Sequence, residues 1–162
     1  MSTSGDRQGP AGTPMNKRMI AAFVLACGMN LALATASAET LGVGPGQKFA
    51  RPSQAFAAAK DGDTIEIAAG TYAGDVAIIR ANRLTIRGMG KDRVKLPAAG
   101  KNAGGKAIWV TAGRDITIEN VEFSGARVPD RNGAGIRAEG ANLTLRNCRF
   151  YDCEDGILGG AG

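Results

Sequence analysis

Three segments of this chain repeat one short pattern in which apolar and polar residues alternate. The sequences LTIRG, ITIEN and LTLRN occupy residues 84–88, 116–120 and 143–147, so the repeat recurs after 32 and then 27 residues. Alternation with period two predicts short strands with one buried face. Isolated strands of this length cannot bury their apolar faces, but coils stacked in parallel can. The repeat therefore predicts an all-β parallel solenoid.

Stacking the repeats in register predicts ladders of similar residues along the solenoid. Asn120 would lie above Asn147 at a corner, where asparagine tolerates left-handed backbone. The other predicted columns are Ile86, Ile118 and Leu145 inside, Thr85, Thr117 and Thr144 outside, and Arg87, Glu119 and Arg146 outside. The last column alternates in sign, so adjacent rungs attract each other. These ladders predict a structural role for the repeated residues.

Residues 15–38 have the layout of a secretory signal. Lys17 and Arg18 open the segment, a mostly apolar stretch follows at 19–34, and a small-residue Ala-Ser-Ala tripeptide ends at Ala38. The apolar stretch is short for a membrane span. We therefore expect cleavage after Ala38 and export to the periplasm or the extracellular space.

This interpretation divides the chain into an N-terminal extension with signal peptide, 1–38, and a β-helical domain, 39–162. The alternative is lipoprotein processing at Cys27. It is less favoured because Leu25 is bulky where lipoprotein signals carry small residues, and because apolar sequence continues past Cys27. Either route leaves a mature chain for which we expect no stable membrane span.

Composition excludes several functions. The chain contains no histidine, which rules out a Ser-His-Asp triad, a Cys-His dyad and a histidine metal ligand within it. Removing residues 1–38 leaves 17 basic and 14 acidic side chains, a net charge of +3. Proteins that bind nucleic acid carry a much larger positive charge than this, so we expect no nucleic-acid partner.

The segment 43–74, VGPGQKFARPSQAFAAAKDGDTIEIAAGTYAG, together with the repeated strands, resembles the right-handed parallel β-helix proteins of the pectin-lyase-like superfamily. The resemblance covers residues 41–162, and over this range the chain looks like a right-handed β-helix repeat-containing protein. It implies a right-handed parallel β-helix with a short N-terminal capping helix. That helix would have Pro52 in its first turn and its body at 55–60, and it would stop at Asp61 and Gly62.

The sequence accounts for about three coils of such a solenoid. A front cap is recognisable, whereas the final residues begin a strand after Asp155 without a closing cap. We therefore expect the sequence to be the N-terminal part of a longer protein. In an enzyme of this kind, most catalytic residues would then lie beyond Gly162.

Trp109 is the first candidate site residue. In the strand IWV, Ile108 aligned with Ile136 would point inward, which leaves Trp109 facing outward beside Arg137. An exposed indole next to a guanidinium is suited to stacking on a sugar ring and pairing with a uronate carboxylate. The alternative is that Trp109 packs under the loop 126–134 or shields the sheet.

A second candidate site is a polar cluster in two neighbouring coils. Its basic and acidic loop residues are Arg127, Asp130 and Arg131. The resemblance implies that an enzyme of this kind would be a polysaccharide lyase, with a basic residue that removes the proton beside a uronate carboxylate. It also implies a calcium site, for which the candidates are Asp152, Glu154 and Asp155. The alternative is a solvated loop with local ion pairs.

Two cysteines remain after the signal segment. Cys148 aligns with Val121 and is predicted to face the interior, while Cys153 would enter the core of the next turn. Their spacing does not decide whether they form a disulfide.

Together these features predict an exported β-helix protein that binds or modifies acidic polysaccharide. Calcium is a candidate cofactor of such an activity. The alternative is a non-catalytic solenoid with a structural or adhesive role in the cell envelope.

Overall fold

The computed structural model describes residues 37–159, and these form a stack of β coils with one short helix. The predicted signal segment and Cys27 lie outside the described residues, apart from the last two residues of that segment. The helix α1 spans Pro52–Ala58. The strands are β1 Thr40–Val43, β2 Thr64–Ile67, β3 Ala77–Ile79, β4 Thr85–Gly88, β5 Val94–Pro97, β6 Ala107–Thr111, β7 Ile116–Glu119, β8 Val121–Ser124, β9 Ala134–Ala138, β10 Leu143–Arg146, β11 Arg149–Tyr151 and β12 Asp155–Gly159.

The strands form three sheets, and all the pairings between them are parallel. Sheet A has the order β1-β2-β4-β7-β10, sheet B has β5-β8-β11, and sheet C has β3-β6-β9-β12. From β4 onward the chain passes through sheets A, B and C in turn, and each such round is one coil. Before β4, the chain runs from β2 in sheet A to β3 in sheet C, with only the isolated bridge between Thr71 and Lys95 at the position of sheet B. This confirms the predicted parallel solenoid and its three complete coils, β4-β5-β6, β7-β8-β9 and β10-β11-β12.

The predicted ladders of sheet A are confirmed. Ile118 is paired with Ile86 on one side and with Leu145 on the other. Outside, Glu119 forms ion pairs with Arg87 at 3.0 Å and with Arg146 at 3.1 Å. Sheet A therefore combines a dry inner column with an outer column of alternating charge.

The asparagine corner is confirmed as well. Asn120 and Asn147 both have positive φ, 59° and 49°, and the Asn147 Nδ2 donates to Asn120 Oδ1 at 2.9 Å. The Asn120 Nδ2 in turn donates to the Gly88 carbonyl at 3.1 Å. A Cβ on Gly88 would lie 2.4 Å from the Asn120 carbonyl oxygen, so the chain approaches itself here as only glycine allows.

Helix α1 covers the N-terminal end of the stack. Pro52 is its first residue, as expected, because the missing N–H costs nothing in the first turn. The helix ends at Ala58, two residues before the expected end at residue 60. The reason is that the buried carboxylate of Asp63 accepts the Lys60 N–H at 2.8 Å and draws this segment into a turn.

A second buried carboxylate fixes the start of α1. Asp75 is 2% exposed and accepts both the Ser53 N–H at 2.9 Å and the Ser53 hydroxyl at 2.6 Å. The Arg51 Nε donates to the same carboxylate at 3.1 Å. These contacts join the helix to the coil that it covers, because carboxylates stabilise the free N–H groups of a helix start.

Aromatic side chains run through the core from the helix to the last coil. Phe56 of α1 contacts Trp109 edge to face at 4.9 Å between ring centroids, and Trp109 contacts Phe123 in the same way at 5.1 Å. Phe123 then stacks on Phe150 at 5.2 Å.

Among residues 37–159, no helix has the length and apolar character that crossing a membrane requires.

Candidate functional site

The prediction that Trp109 faces outward is wrong. Its side chain is fully buried, and its register partner is Ile136, one residue away from the expected alignment. Alternation in IWV was uninformative because the outer face of β6 is also covered, by a small apolar cluster that includes Ala103, Val110 and Ala134. Trp109 is therefore a core residue and not part of a sugar platform.

Arg137 remains on the outside but without the indole. Its register partner on β6 is Val110, and its Nε donates to the Glu139 carboxylate at 2.7 Å. Only 26% of the Arg137 side chain is exposed. The predicted pair of Trp109 and Arg137 is therefore not assembled.

The basic and acidic residues of the loop 126–134 are held in local contacts. Arg127 forms an ion pair with Asp152 of the next coil, and Asp130 forms one with Lys106 of the preceding coil. The hydrogen bond from Lys106 lowers the pKa of Asp130. Arg131 is exposed with φ 58°. This arrangement agrees with the alternative of a solvated loop fixed by ion pairs.

The three candidate calcium ligands do not converge. Glu154 accepts the backbone N–H groups of Val128 at 3.0 Å and Gly133 at 2.8 Å, and these hydrogen bonds lower its pKa. Asp152 is engaged by Arg127, and Asp155 begins β12. Within residues 37–159, no group of three or more His, Cys, Asp or Glu side chains is arranged to hold a metal ion. Calcium binding stays a prediction without a ligand cluster in this part of the chain.

Both cysteines are free thiols. Cys148 packs against the core, and its Sγ donates to the Ile118 carbonyl at 3.4 Å. Cys153 also packs against the core. Burial raises the pKa of both thiols. The inward placement of both residues is thus confirmed.

A concave surface lies in a different region, at the corner between sheets A and B in the early coils. One cavity of about 410 Å³ lies between the segments 69–71 and 91–95. A second cavity of about 700 Å³ lies on the other side of 69–71 and is lined also by the segment 44–47 and by Tyr72. We call the surface formed by these two cavities the corner groove.

The first cavity has more basic than acidic side chains in its lining. Lys91, Arg93 and Lys95 line it, together with Asp92 and Glu122. The Arg93 guanidinium is anchored, because its Nε donates to the Asn147 carbonyl at 3.1 Å and its Nη2 to Asn147 Oδ1 at 2.6 Å. Lys91 and Lys95 are exposed, and neither forms an ion pair within residues 37–159. Two cationic groups are thus available to an anionic ligand.

The fold explains why the groove opens here and holds its shape. Five residues, 89–93, join β4 to β5, whereas Asn120 alone joins β7 to β8. The longer loop is supported by the Asn120 Nδ2, which donates to the Asp92 carbonyl at 3.2 Å. The floor is fixed by backbone hydrogen bonds of Lys95, whose N–H donates to the Gly70 carbonyl and whose carbonyl accepts from the Tyr72 N–H, both at 2.8 Å.

This groove was not among the predicted sites, although the sequence contains a signal for its basic side. In KDRVK, residues 91–95, basic residues alternate with Asp92 and the buried Val94. This alternation places the three basic side chains on the same side of the chain, at the start of β5. No pattern indicated that the distant segment 69–71 would meet them, or that 44–47 would lie on its other side.

Comparison with known proteins gives one match. The family described as "Right handed beta helix region" matches residues 72–161, more than half of the chain. No curated protein and no solved structure matches.

Proposed function

Since the chain belongs to the right-handed β-helix family, we propose that its rigid stack presents the corner groove as a binding site for acidic polysaccharide. The observation that carries this proposal is the cavity lined by Lys91, Arg93 and Lys95. Solenoids of this kind commonly use an elongated outer surface for binding. The groove lies on such a surface.

The chemistry of the first cavity suits a uronate carboxylate. The Arg93 guanidinium is held by Asn147, so its position is set before a ligand arrives. A preorganised cation spends less conformational entropy on binding. Lys91 and Lys95 add flexible positive charge around it. Such contacts are screened by salt, so affinity for a polyanion falls as ionic strength rises.

The second cavity suits the uncharged part of a sugar chain. It is more apolar in its lining than the first, and it is lined by the segment 44–47, Ala50, Arg51, the segment 69–71 and Tyr72. The Arg51 guanidinium is already engaged, because it donates to the Asp75 carboxylate and the Ala73 carbonyl. The Tyr72 hydroxyl is occupied, because it donates to the Ala68 carbonyl at 2.9 Å. A sugar ring in this cavity could therefore contact Tyr72 and exchange hydrogen bonds with the Gln47 amide. Because both cavities share 69–71, one chain can occupy both.

We propose binding and leave bond cleavage out of the proposal. The Arg127 candidate for a proton-abstracting base is paired with Asp152, so its guanidinium is already engaged by a carboxylate. The Asp130 candidate is paired with Lys106. The contacts therefore favour a structural role for the loop 126–134.

The test is titration of the full chain with a polyuronate and with a neutral polysaccharide of matched length. In the variant Lys91→Gln/Lys95→Gln we expect affinity for the polyuronate to fall about tenfold, since two exposed charge contacts are lost. The matched control is Lys60→Gln/Lys101→Gln, which removes the same charge at exposed positions that line neither cavity.

Equal affinities of the two variants would contradict the site, and equal binding of the neutral polysaccharide would contradict the ligand class. Ultraviolet absorbance of unsaturated uronate, followed with and without calcium, reports lyase activity in the same samples. Its appearance would show that the chain cleaves what it binds.

We also propose that the protein is exported. The support is the signal layout at 15–38 and its Ala-Ser-Ala end. The mass of the mature chain made in a bacterial host tests this, since cleavage after Ala38 gives an N-terminus at Glu39. Lipid attached at Cys27, or an uncleaved chain, would contradict it.

A further inference from the structure

The first cavity of the corner groove contains a nearly buried acid beside its cations. Glu122 lines this cavity together with Arg93 and Lys95, whereas the second acid of the lining, Asp92, is exposed. Glu122 belongs to β8, and its register partners are Lys95 on β5 and Arg149 on β11. A carboxylate in this position repels an incoming anion, so attraction of a polyanion alone does not explain it.

The Glu122 carboxylate is almost removed from solvent and lacks a hydrogen-bond donor from the protein. The residue is 8% exposed, and its ion pair with Arg149, at 3.7 Å, is longer than a hydrogen bond. Among residues 37–159, no group donates a hydrogen bond to this carboxylate, whereas Glu119 accepts one from each of two arginines, at 3.0 and 3.1 Å. A nearly buried carboxylate without a donor is unfavourable, and a donor on a ligand in the cavity would offset that cost.

The cavity therefore presents two kinds of group to one ligand. The Arg93 guanidinium, anchored on Asn147, and the exposed ammonium groups of Lys91 and Lys95 attract an anion. Glu122 accepts hydrogen bonds and disfavours a second negative charge. A uronic acid satisfies both, because it carries one carboxylate together with hydroxyl donors on the same sugar ring. Inorganic polyphosphate carries anionic groups without hydroxyl donors along its chain, so it satisfies only the cations.

We propose that Glu122 determines the specificity of the corner groove by accepting a hydrogen bond from a sugar hydroxyl, so that the groove selects sugar acids over polyanions without hydroxyl groups. This inference rests on the proposed function, since it says which class of polyanion the cations of the groove hold. The charge-assisted hydrogen bond favours the sugar acid, and repulsion by the same carboxylate disfavours the other polyanions. Removing the charge of Glu122 should therefore move the two affinities in opposite directions.

The test is titration of the full chain with a polyuronate and with linear polyphosphate, in the wild type and in Glu122→Gln. The amide of the variant still accepts a hydrogen bond but carries no charge, so we expect affinity for the polyuronate to fall about fivefold. Affinity for polyphosphate should rise about fivefold, because the repulsion is removed. Circular dichroism of the variant shows whether the stack remains folded.

The matched control is Glu119→Gln. It removes the same charge from the same coil, again from a glutamate with a basic side chain in register on each side, but Glu119 lines neither cavity of the groove. The gain of one positive charge far from the ligand should strengthen binding of both polyanions slightly, by less than about twofold. A change in opposite directions is therefore expected only for Glu122→Gln.

A second measurement needs no variant and serves if Glu122→Gln does not fold. The wild type is titrated with the same polyuronate after O-acetylation, which keeps the carboxylates and the length but removes the hydroxyl donors. We expect this ligand to bind about fivefold more weakly than the free polyuronate, since Glu122 then receives no hydrogen bond. In a folded Glu122→Gln protein the loss on acetylation should be smaller than in the wild type.

Two results would overturn this inference while the groove remains a polyuronate site. They are affinity changes of the same sign for both polyanions in Glu122→Gln, which would assign Glu122 a structural role, and equal affinity of the wild type for the acetylated and the free polyuronate. Failure of the proposed function gives a different pattern. In that case neither Lys91→Gln/Lys95→Gln nor Glu122→Gln changes the affinity for the polyuronate, and both proposals are wrong.

Discussion

The corner between sheets A and B is built in two ways along the same stack. In the later coils it is an asparagine ladder, where Asn120 and Asn147 hydrogen-bond to each other with the same left-handed backbone. In the earlier coils it is opened by the segments 68–70 and 89–93, and the corner groove lies there. The same corner is thus a regular ladder that stabilises the stack in the later coils, and an irregular pair of loops that forms the corner groove in the earlier coils.

The two parts of the corner are also connected. Asn120 donates one hydrogen bond within the regular ladder, to Gly88, and another to Asp92 in the groove loop. Arg93 of the groove is anchored on Asn147 of the ladder. The regular coils therefore hold the irregular loop in place, which is how a rigid scaffold positions a binding loop.

Trp109→Ala gives the largest expected effect and tests the division between core and surface. The fully buried indole contacts Phe56 and Phe123, so its loss leaves a cavity between helix and coils and lowers the free energy of unfolding by about 3–5 kcal/mol. Urea denaturation measures this. Arg137→Ala is the control, with a change below about 1 kcal/mol, because it removes one partly exposed ion pair. If the Trp109→Ala protein is as stable as the wild type but no longer binds polyuronate, Trp109 is a binding residue and the assignment to the core is wrong.

Asn120→Ala tests the asparagine ladder. It removes hydrogen bonds to Gly88, Asp92 and Asn147 and places alanine at φ 59°, so we expect a loss of about 2–3 kcal/mol in the free energy of unfolding. Asn120→Gly removes the same hydrogen bonds but tolerates this φ, so it should lose about 1 kcal/mol less. Equal losses in the two variants would show that backbone strain plays no part at this corner.

Glu119→Gln tests the charged column with a smaller effect. The carboxylate is shared by Arg87 and Arg146, and the hydrogen bond from Arg87 is the main cause of its lowered pKa. We expect a loss of about 1 kcal/mol at low ionic strength, which shrinks as salt is added because these groups are partly exposed. A loss that is independent of salt would contradict the electrostatic account of this column.

Glu154→Gln should have the smallest effect, and its signature is a change in how strongly the free energy of unfolding depends on pH in the acid range. Backbone hydrogen bonds from Val128 and Gly133 hold the folded-state pKa of Glu154 below its unfolded value. Its contribution to stability is therefore present above the unfolded pKa of about 4.5 and is lost as pH falls through the lower folded value. The variant should show a shallower loss of stability in this window than the wild type. An identical slope would mean that Glu154 does not tie the loop 126–134.

The fold was predictable because its determinants repeat. Residues such as Ile118 and Asn120 recur in register, and each recurrence is an independent sign of the same coil. The Trp109 prediction failed where this signal is absent, since both faces of β6 are covered and alternation no longer distinguishes inside from outside.

The candidate site was predictable only in part. The basic run 91–95 is visible in the sequence, but the groove also needs Gly70 and Tyr72, which reach Lys95 through parallel pairing between coils. The ion pairs of Arg127 and Asp130 are likewise contacts between coils, with Asp152 and Lys106. Such contacts depend on loop lengths and stacking, which the residue types alone do not fix.

Hydrogen–deuterium exchange with and without a polyuronate tests the central assignment most directly. We predict that the ligand slows exchange in 69–72 and 91–95 and leaves the loop 126–134 and β9 unchanged. Protection of 126–134 or β9, with the corner groove unaffected by saturating ligand, would contradict the account.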